Sequence, residues 1–205
     1  MELPHRPNVT LPVMQTDIDR VLIDRDRIAR RVRQLAETIT RDLLDDVADP
    51  SQAEVTLVPI LSGSFIFVAD LIRHLPLPMQ IRMMSISAYA GATTATRGSR
   101  VQQQLTDLPD SLAGAHVLLI DDILDSGGTL RLALDLLRTR NPHSLRTCVL
   151  LRKQRPEARQ LPVDFVAFDI PDQFVVGYGL DYNDYYRNLP DIVTLRPHVF
   201  EAGKP

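Results

Sequence analysis

Three acids and a short glycine turn lie within nine residues of one another: Asp121, Asp122 and Asp125, followed by Ser126-Gly127-Gly128-Thr129. They follow the apolar run Val117–Ile120 and precede a segment with helical spacing, so the chemistry sits where a strand turns into a helix. Two glycines let the backbone bend and come close to a ligand without a Cβ in the way. The first amides of a helix have no internal partner and point outward with the positive end of the dipole behind them. A phosphate fits there, with the Ser126 and Thr129 hydroxyls adding hydrogen bonds. Carboxylates beside a phosphate would repel it unless they hold something else. Asp121 and Asp122 could accept hydrogen bonds from ribose hydroxyls or hold Mg2+ through water. Asp125, one residue before the cradle, is placed for proton chemistry on whatever joins the sugar. A Gly-Gly after a strand can equally be a plain turn, and paired acids a metal cluster or phosphoacceptor. Neither the P-loop nor the dinucleotide fingerprint is present, and EF-hand spacing fails.

The elements that must position these groups alternate along the chain. Residues 1–15, with Pro4, Pro7 and Pro12, suggest an extended arm. Asp24 or Asp26 caps a helix with Ile28, Val32, Leu35, Ile39 and Leu43 on one face. Val55–Leu61 reads as a strand, Phe65–His74 as a helix ending before Pro76, and Ile81–Ser87 as a strand. Residues 88–104 are small and polar, a long loop or flexible hairpin. His116–Leu124 is a strand and Thr129–Thr139 a helix. Leu145–Leu151, Val163–Ile170, Phe174–Val176 and Ile192–Leu195 are further strand candidates. Such alternation with near-continuous apolar runs implies a mainly parallel sheet covered on both faces. Ligands bind beyond the carboxyl ends of such strands, where 121–129 lies.

The whole chain bounds the rest. Its 205 residues fit one domain, and a composition 44% hydrophobic and 24% charged is that of a soluble globular protein. No stretch nears the ~18 apolar residues of a membrane span, and no secretory signal opens the chain. The single cysteine, Cys148, lies in an apolar run and reads as a buried thiol in a reducing, cytoplasmic compartment. A net charge of −3 argues against nonspecific nucleic-acid binding.

The string from Val117 to Thr129 resembles the phosphoribosyl-diphosphate signature of type I phosphoribosyltransferases. Leu61-Ser62-Gly63-Ser64-Phe65-Ile66-Phe67-Val68-Ala69-Asp70-Leu71, Leu150-Leu151-Arg152-Lys153, the segment Pro171–Asn183 and Arg187-Asn188-Leu189-Pro190 narrow the resemblance to hypoxanthine (hypoxanthine-guanine) phosphoribosyltransferases. It spans residues 15–197 in the family's order and spacing. It implies an α/β fold with a central, mainly parallel sheet flanked by helices, a small hood formed by terminal segments, and a lid loop. As one domain over 1–205, the lid would be 88–104 and the purine-binding hood region 152–197. The implied reaction moves the 5-phosphoribosyl group of phosphoribosyl diphosphate to N9 of hypoxanthine or guanine, with Mg2+.

The resemblance also implies roles. Asp125–Thr129 would hold the 5-phosphate, and Asp121 and Asp122 the ribose hydroxyls or, with Asp181, the metal. Asp125 would face purine N7 as acid/base. Ser62, Gly63 and Arg187 would meet pyrophosphate, the first two across a cis Leu61–Ser62 peptide. Lys153 would bind the 6-oxo group, Phe174 would stack on the ring, the Val175 backbone would read its edge, and Asp181 would lie beside it. Tyr89 belongs to the lid, with Ala88 where the family has Ser, and Ser62 stands where many members carry Lys or Arg. Homodimers or homotetramers are the family habit. Taken singly, Lys153 beside Arg152 and Arg155 would read as a solvated basic patch, Phe174 as core, and Asp181 with Arg187 as a surface ion pair. A xanthine-preferring enzyme and an RNA-binding regulator of the same fold, using Arg25, Arg27, Arg30, Arg31 and Arg33, are the alternatives.

Overall fold

A computed structural model describes residues 12–45, 54–88, 101–104 and 108–201. Its centre is a seven-stranded sheet. Strands β2 (Val55–Leu61), β6 (His116–Leu124), β7 (Ser144–Lys153) and β8 (Phe165–Ile170) run parallel in that order. Strands β3 (Met79–Ile81) and β4 (Met84–Ala88) also run parallel to β2, and β5 (Val101–Gln104) pairs antiparallel with β4. Helices α2 (Arg25–Asp45) and α3 (Phe65–Leu71) cover one face. Helix α4 (Gly128–Arg138) and the short α5 (Pro156–Gln160) cover the other. The apolar runs are continuous because both faces are covered: His116–Asp121 of β6 is buried throughout.

Helix α2 begins where Asp24 Oδ1 accepts the Arg27 amide at 2.8 Å, an N-cap bond, so Asp24 rather than Asp26 is the cap. Its expected apolar face is buried at Ile28, Val32, Leu35, Ile39 and Leu43. Cys148 is fully buried in the sheet, and burial pushes its thiol up far from a nucleophile's range.

Four expectations need correction. Ile81–Ser87 is two strands broken at Arg82-Met83. Leu57 O accepts the Arg82 amide at 2.9 Å, and Pro59, two residues on and facing the same side, has no N–H for a continuing ladder. Phe174–Val176 is no strand. Only Val176 bridges to Val193, because the chain turns through positive φ at Gly177, Tyr178 and Gly179. Pro12–Gln15 forms one helical turn (α1) instead of an extended arm, while residues 1–11 lie outside the described set. Both ends of the expected 88–104 loop are strand, Ala88 pairing with Val101; the residues between, Tyr89 included, are outside the described set.

The terminal segments meet as a separate two-stranded sheet. Strand β1 (Ile18–Ile23) pairs antiparallel with β9 (Ile192–Leu195), which precedes the short α6 (Pro197–Glu201). Arg25 fastens this sheet to α2. Its backbone amide donates to Asp191 Oδ1 at 2.7 Å and its guanidinium to Asp191 Oδ2 at 2.9 Å.

Candidate active site

The cradle forms at the carboxyl end of β6, between β2 and β7. Gly127 takes φ +81° and caps α4, its carbonyl accepting the Arg131 amide at 3.0 Å. A Cβ there would come within 3.1 Å of Leu161, so both its conformation and its packing favour glycine. Ser126, Gly128 and Thr129 are exposed at the mouth, and the outward amides of the first α4 turn open toward them.

The two acids ahead of the cradle are unlike. Asp121 is buried, and burial, then the adjoining Asp122 charge, holds its carboxyl well above the usual range. Burial raises Asp122 too, against opposing hydrogen bonds from Asp121 and the Ile123 amide (2.8 Å) and the field of Arg187. Two neighbouring carboxyls, one buried and one half-buried, with raised affinity for protons call for hydrogen-bond donors or a cation. Sugar hydroxyls or a hydrated metal supply either.

Beyond the cradle lies the pyrophosphate loop, with a cis peptide between Leu61 and Ser62. Ser62 is exposed, whereas Gly63 is pressed on two sides. A Cβ on Gly63 would lie 1.6 Å from Asp122 Oδ2, and one on Gly179 would lie 2.2 Å from the Gly63 carbonyl oxygen. Loop 61–64 is thus seated between the β6 acids and the turn at 177–180. Arg187 closes the same side: it donates to Gly179 O at 2.9 Å and pairs with Asp181 at 2.8 Å and Asp184 at 2.9 Å. The Asp181–Arg187 ion pair expected from spacing is present, but it lines this cleft with Arg187 only partly exposed. Among the described residues no three His, Cys, Asp or Glu gather as a metal cage.

At the other end, Lys153 terminates β7 with only 8% of its surface exposed, so a solvated basic patch is the wrong reading. Successive strand residues point to opposite faces. Arg152 accordingly turns away to Asp169 (2.7 and 3.1 Å), while Lys153 reaches Asp125 at 2.9 Å and Asp172 at 3.5 Å. Arg155 bonds the other Asp125 oxygen and, at 3.2 Å, Asp172. Desolvation pushes the Asp125 carboxyl up, but hydrogen bonds from Lys153 and Arg155 outweigh it and leave the group below its ordinary value. Asp125 is therefore a carboxylate at neutral pH, with a cation on each of its oxygens. Phe174 is not core, being 46% exposed. Tyr182 and Phe200 meet it edge-on, with ring centres 5.7 and 5.6 Å away, which fixes the ring's tilt. Val175 is buried behind it.

The structure thus gathers Asp121, Asp122, Gly63, Asp181 and Arg187 on one side of the cradle, and Asp125 with Lys153 on the other. Asp172, Arg155, Tyr182 and Phe200 join them without a role having been read from sequence. Asp172 stood within the quoted Pro171–Asn183 segment. Phe200 carried no signal, since its partners are brought near only by the hood.

A parallel sheet bearing a phosphate cradle, ribose-type acids and a separate base pocket defines a phosphoribosyl-transfer fold. The Phosphoribosyl transferase domain family matches residues 22–183. The hypoxanthine-guanine phosphoribosyltransferase of Mycobacterium avium is 43% identical over 187 residues, 90% of this chain and 89% of that protein. The Bacillus subtilis enzyme of that name is 36% identical over 190 residues, 93% and 100% of the two chains. A mutant hypoxanthine phosphoribosyltransferase from Trypanosoma cruzi, solved with the product IMP, superposes with a TM-score of 0.79 at 35% identity, covering 97% of each chain. The chain belongs to the type I phosphoribosyltransferases, in the hypoxanthine-guanine phosphoribosyltransferase family.

Proposed function

We propose that this chain transfers the 5-phosphoribosyl group of phosphoribosyl diphosphate to N9 of hypoxanthine and guanine, giving IMP or GMP and pyrophosphate. The observation that carries the reading is the 2.9 Å pairing of Asp125 with the buried Lys153 beside the phosphate cradle. A proton acceptor and a fixed ammonium side by side suit N7 and O6 of a 6-oxopurine, which are neighbouring atoms of one edge. Adenine offers an amino group there, a donor that an ammonium repels.

In this reading the amides of the first α4 turn, with Ser126 and Thr129, hold the 5-phosphate, and Asp121 and Asp122 accept the ribose hydroxyls. Phe174 stacks on the purine and the Val175 backbone reads its edge. As the C1′–oxygen bond to pyrophosphate breaks, positive charge builds on the sugar and N9 bonds to C1′. The N7 proton of the base passes to Asp125. Ser62, Gly63 and Arg187 receive pyrophosphate. Mg2+ is the expected cofactor and would neutralise pyrophosphate charge. The hard oxygens of Asp181, with Asp121 and Asp122 through water, would suit it. Residues 88–104, with Tyr89, serve as the lid that excludes water from the developing cation.

The other expectations stay with this reading: one domain over 1–205, a hood at 152–197, a homodimer or homotetramer, and a cytoplasmic site. Light scattering tests the oligomer. No described helix is long and apolar enough to cross a membrane. Of the five arginines of the RNA-regulator alternative, three are engaged within the fold, while Arg30 and Arg33 remain exposed. Arg25 is committed to Asp191, Arg27 lies over the Phe168 ring, and Arg31 donates to Val166 and Ala167 carbonyls.

The test is a coupled assay with phosphoribosyl diphosphate, Mg2+ and each of hypoxanthine, guanine, xanthine and adenine. Nucleotide from hypoxanthine or guanine is expected. No product from any base would overturn the enzyme reading, and a preference for adenine would overturn the role of Lys153. Asp125→Asn should cut turnover by about 10²-fold or more, the worth of a general base, while leaving phosphoribosyl diphosphate binding within a few-fold. Equal losses in both would remove Asp125 from proton transfer.

A further inference from the structure

Arg155 has no part in the reaction written above, yet it touches the group that performs it. It stands at the start of α5 in an extended conformation, φ −112° and ψ 146°. From there its side chain reaches back over the end of β7. Its Nη1 donates to Asp125 Oδ1 and its Nε pairs with Asp172 Oδ2 at 3.2 Å. Lys153 takes the opposite oxygens of the same two acids, Asp125 Oδ2 at 2.9 Å and Asp172 Oδ1 at 3.5 Å. Two acids and two cations alternate around a square, and both oxygens of Asp125 are held by cations.

Asp125 keeps spare lone pairs, but a purine N7–H bonds it most strongly when one of those cations yields. Lys153 is the poor candidate: its side chain is 10% exposed, and the oxo group needs it in place. The Arg155 side chain is 40% exposed, so its guanidinium can turn into water with its hydration nearly restored. We propose that Arg155 is a positioning residue that latches the purine pocket. In the free enzyme it holds Asp125 and Asp172 together, and the incoming 6-oxopurine displaces it from Asp125. The contact from Nε to Asp172 keeps it at the rim. This inference rests on the phosphoribosyl-transfer reading.

Two consequences follow from the geometry. The purine competes with Arg155 for Asp125, so removing Arg155 strengthens purine binding. The guanidinium has already left when chemistry begins, so turnover is spared. Asp125 in the free enzyme is faced by Lys153, Arg155 and Asp172, with Glu157 acting on Arg155 from α5. Without Arg155 the remaining Lys153 and Asp172 oppose each other in sign, and the Asp125 carboxyl titrates at higher pH.

The experiment uses full-length wild type, Arg155→Gln and Arg155→Lys with saturating phosphoribosyl diphosphate and Mg2+. It measures kcat and the hypoxanthine KM across pH. Arg155→Gln should lower the hypoxanthine KM by about twofold to fivefold, the worth of an exposed ion pair, with kcat within about twofold. Its acid limb of kcat/KM should move to higher pH, and Arg155→Lys should return both values toward wild type. An unchanged KM and acid limb would reduce Arg155 to a surface residue, leaving phosphoribosyl transfer intact. A kcat that falls with Arg155→Gln would overturn the latch by placing Arg155 in the chemical step. Wild type inactive with every oxopurine would overturn the parent reading and the latch with it.

Discussion

Gly63→Ala separates the positioning of a ribose-binding acid from the stability of the fold. The new Cβ would stand 1.6 Å from Asp122 Oδ2 and 2.5 Å from its Cγ, and both are side-chain atoms. The carboxylate must recede by about 2 Å to regain ordinary contact. It can do so only by turning about its Cα–Cβ bond, which breaks the 2.8 Å bond from the Ile123 amide to Oδ1. A hydrogen bond to a charged group is worth about 1.5–3 kcal/mol when lost between folded partners. Asp122 finds partial replacement at the cleft, so the fold should lose only about 1 kcal/mol, or ~2–4 °C in Tm for a chain of this size. The ribose contact has no replacement. Affinity for phosphoribosyl diphosphate should fall by roughly 10- to 150-fold.

Gly179→Ala is the control, because its Cβ meets backbone: 2.2 Å from the Gly63 carbonyl oxygen, at φ +103°. No side chain can move aside there. Positive φ alone costs about 1–3 kcal/mol before the clash is counted, so stability and binding should fail together. Titration calorimetry with phosphoribosyl diphosphate and Mg2+, beside thermal melts of both variants, reads the difference. Gly63→Ala binding like wild type would refute the reasoning, as would a Tm loss as large as that of Gly179→Ala.

Two further predictions concern the acids and the base pocket. Asp121 has a folded pKa raised by burial and by Asp122, so its stabilising contribution is complete below its unfolded pKa and is lost as pH rises through the raised one. In metal-free and substrate-free protein, Asp121→Asn should therefore melt close to wild type near pH ~4 and progressively higher than wild type toward neutral pH, while binding phosphoribosyl diphosphate more weakly; a Tm difference that ignores pH would refute this. Phe200→Ala removes one of two rings that tilt Phe174, and should raise the hypoxanthine KM about twofold to tenfold, the range of an aromatic pair, with phosphoribosyl diphosphate affinity unchanged. An unaltered KM would leave Tyr182 alone as the support.

What the sequence made legible was what local physics decides. Strand β6 appears at its expected bounds because its apolar run, Val117–Ile120, lies between two covered faces and is legible without its partners. Helix α4 differs from expectation by one residue at each end, within the fraying of helix termini. The break between β3 and β4 was hidden because its cause, Pro59, lies on a neighbouring strand. Strand β1 was missed for a related reason. Its pattern is half exposed, and its partner β9 lies some 170 residues away, so nothing nearby marks it. The same boundary divides the site. Asp121, Asp122, Asp125 and the glycines carry their chemistry in one segment, and spacing alone was enough to expose it. Lys153 read alone looks like one of three surface cations; only the strand's alternation turns Arg152 outward and buries Lys153 against Asp125. Arg155 escapes both tests, since β7 has ended before it and only the return of the chain onto Asp125 and Asp172 gives it work. A residue of that kind, outside the motifs and half in water, can tune the ionisation of Asp125 without taking part in the transfer. The proton acceptor is thus set by the segment 121–129, and its readiness by a loop that the segment does not contain.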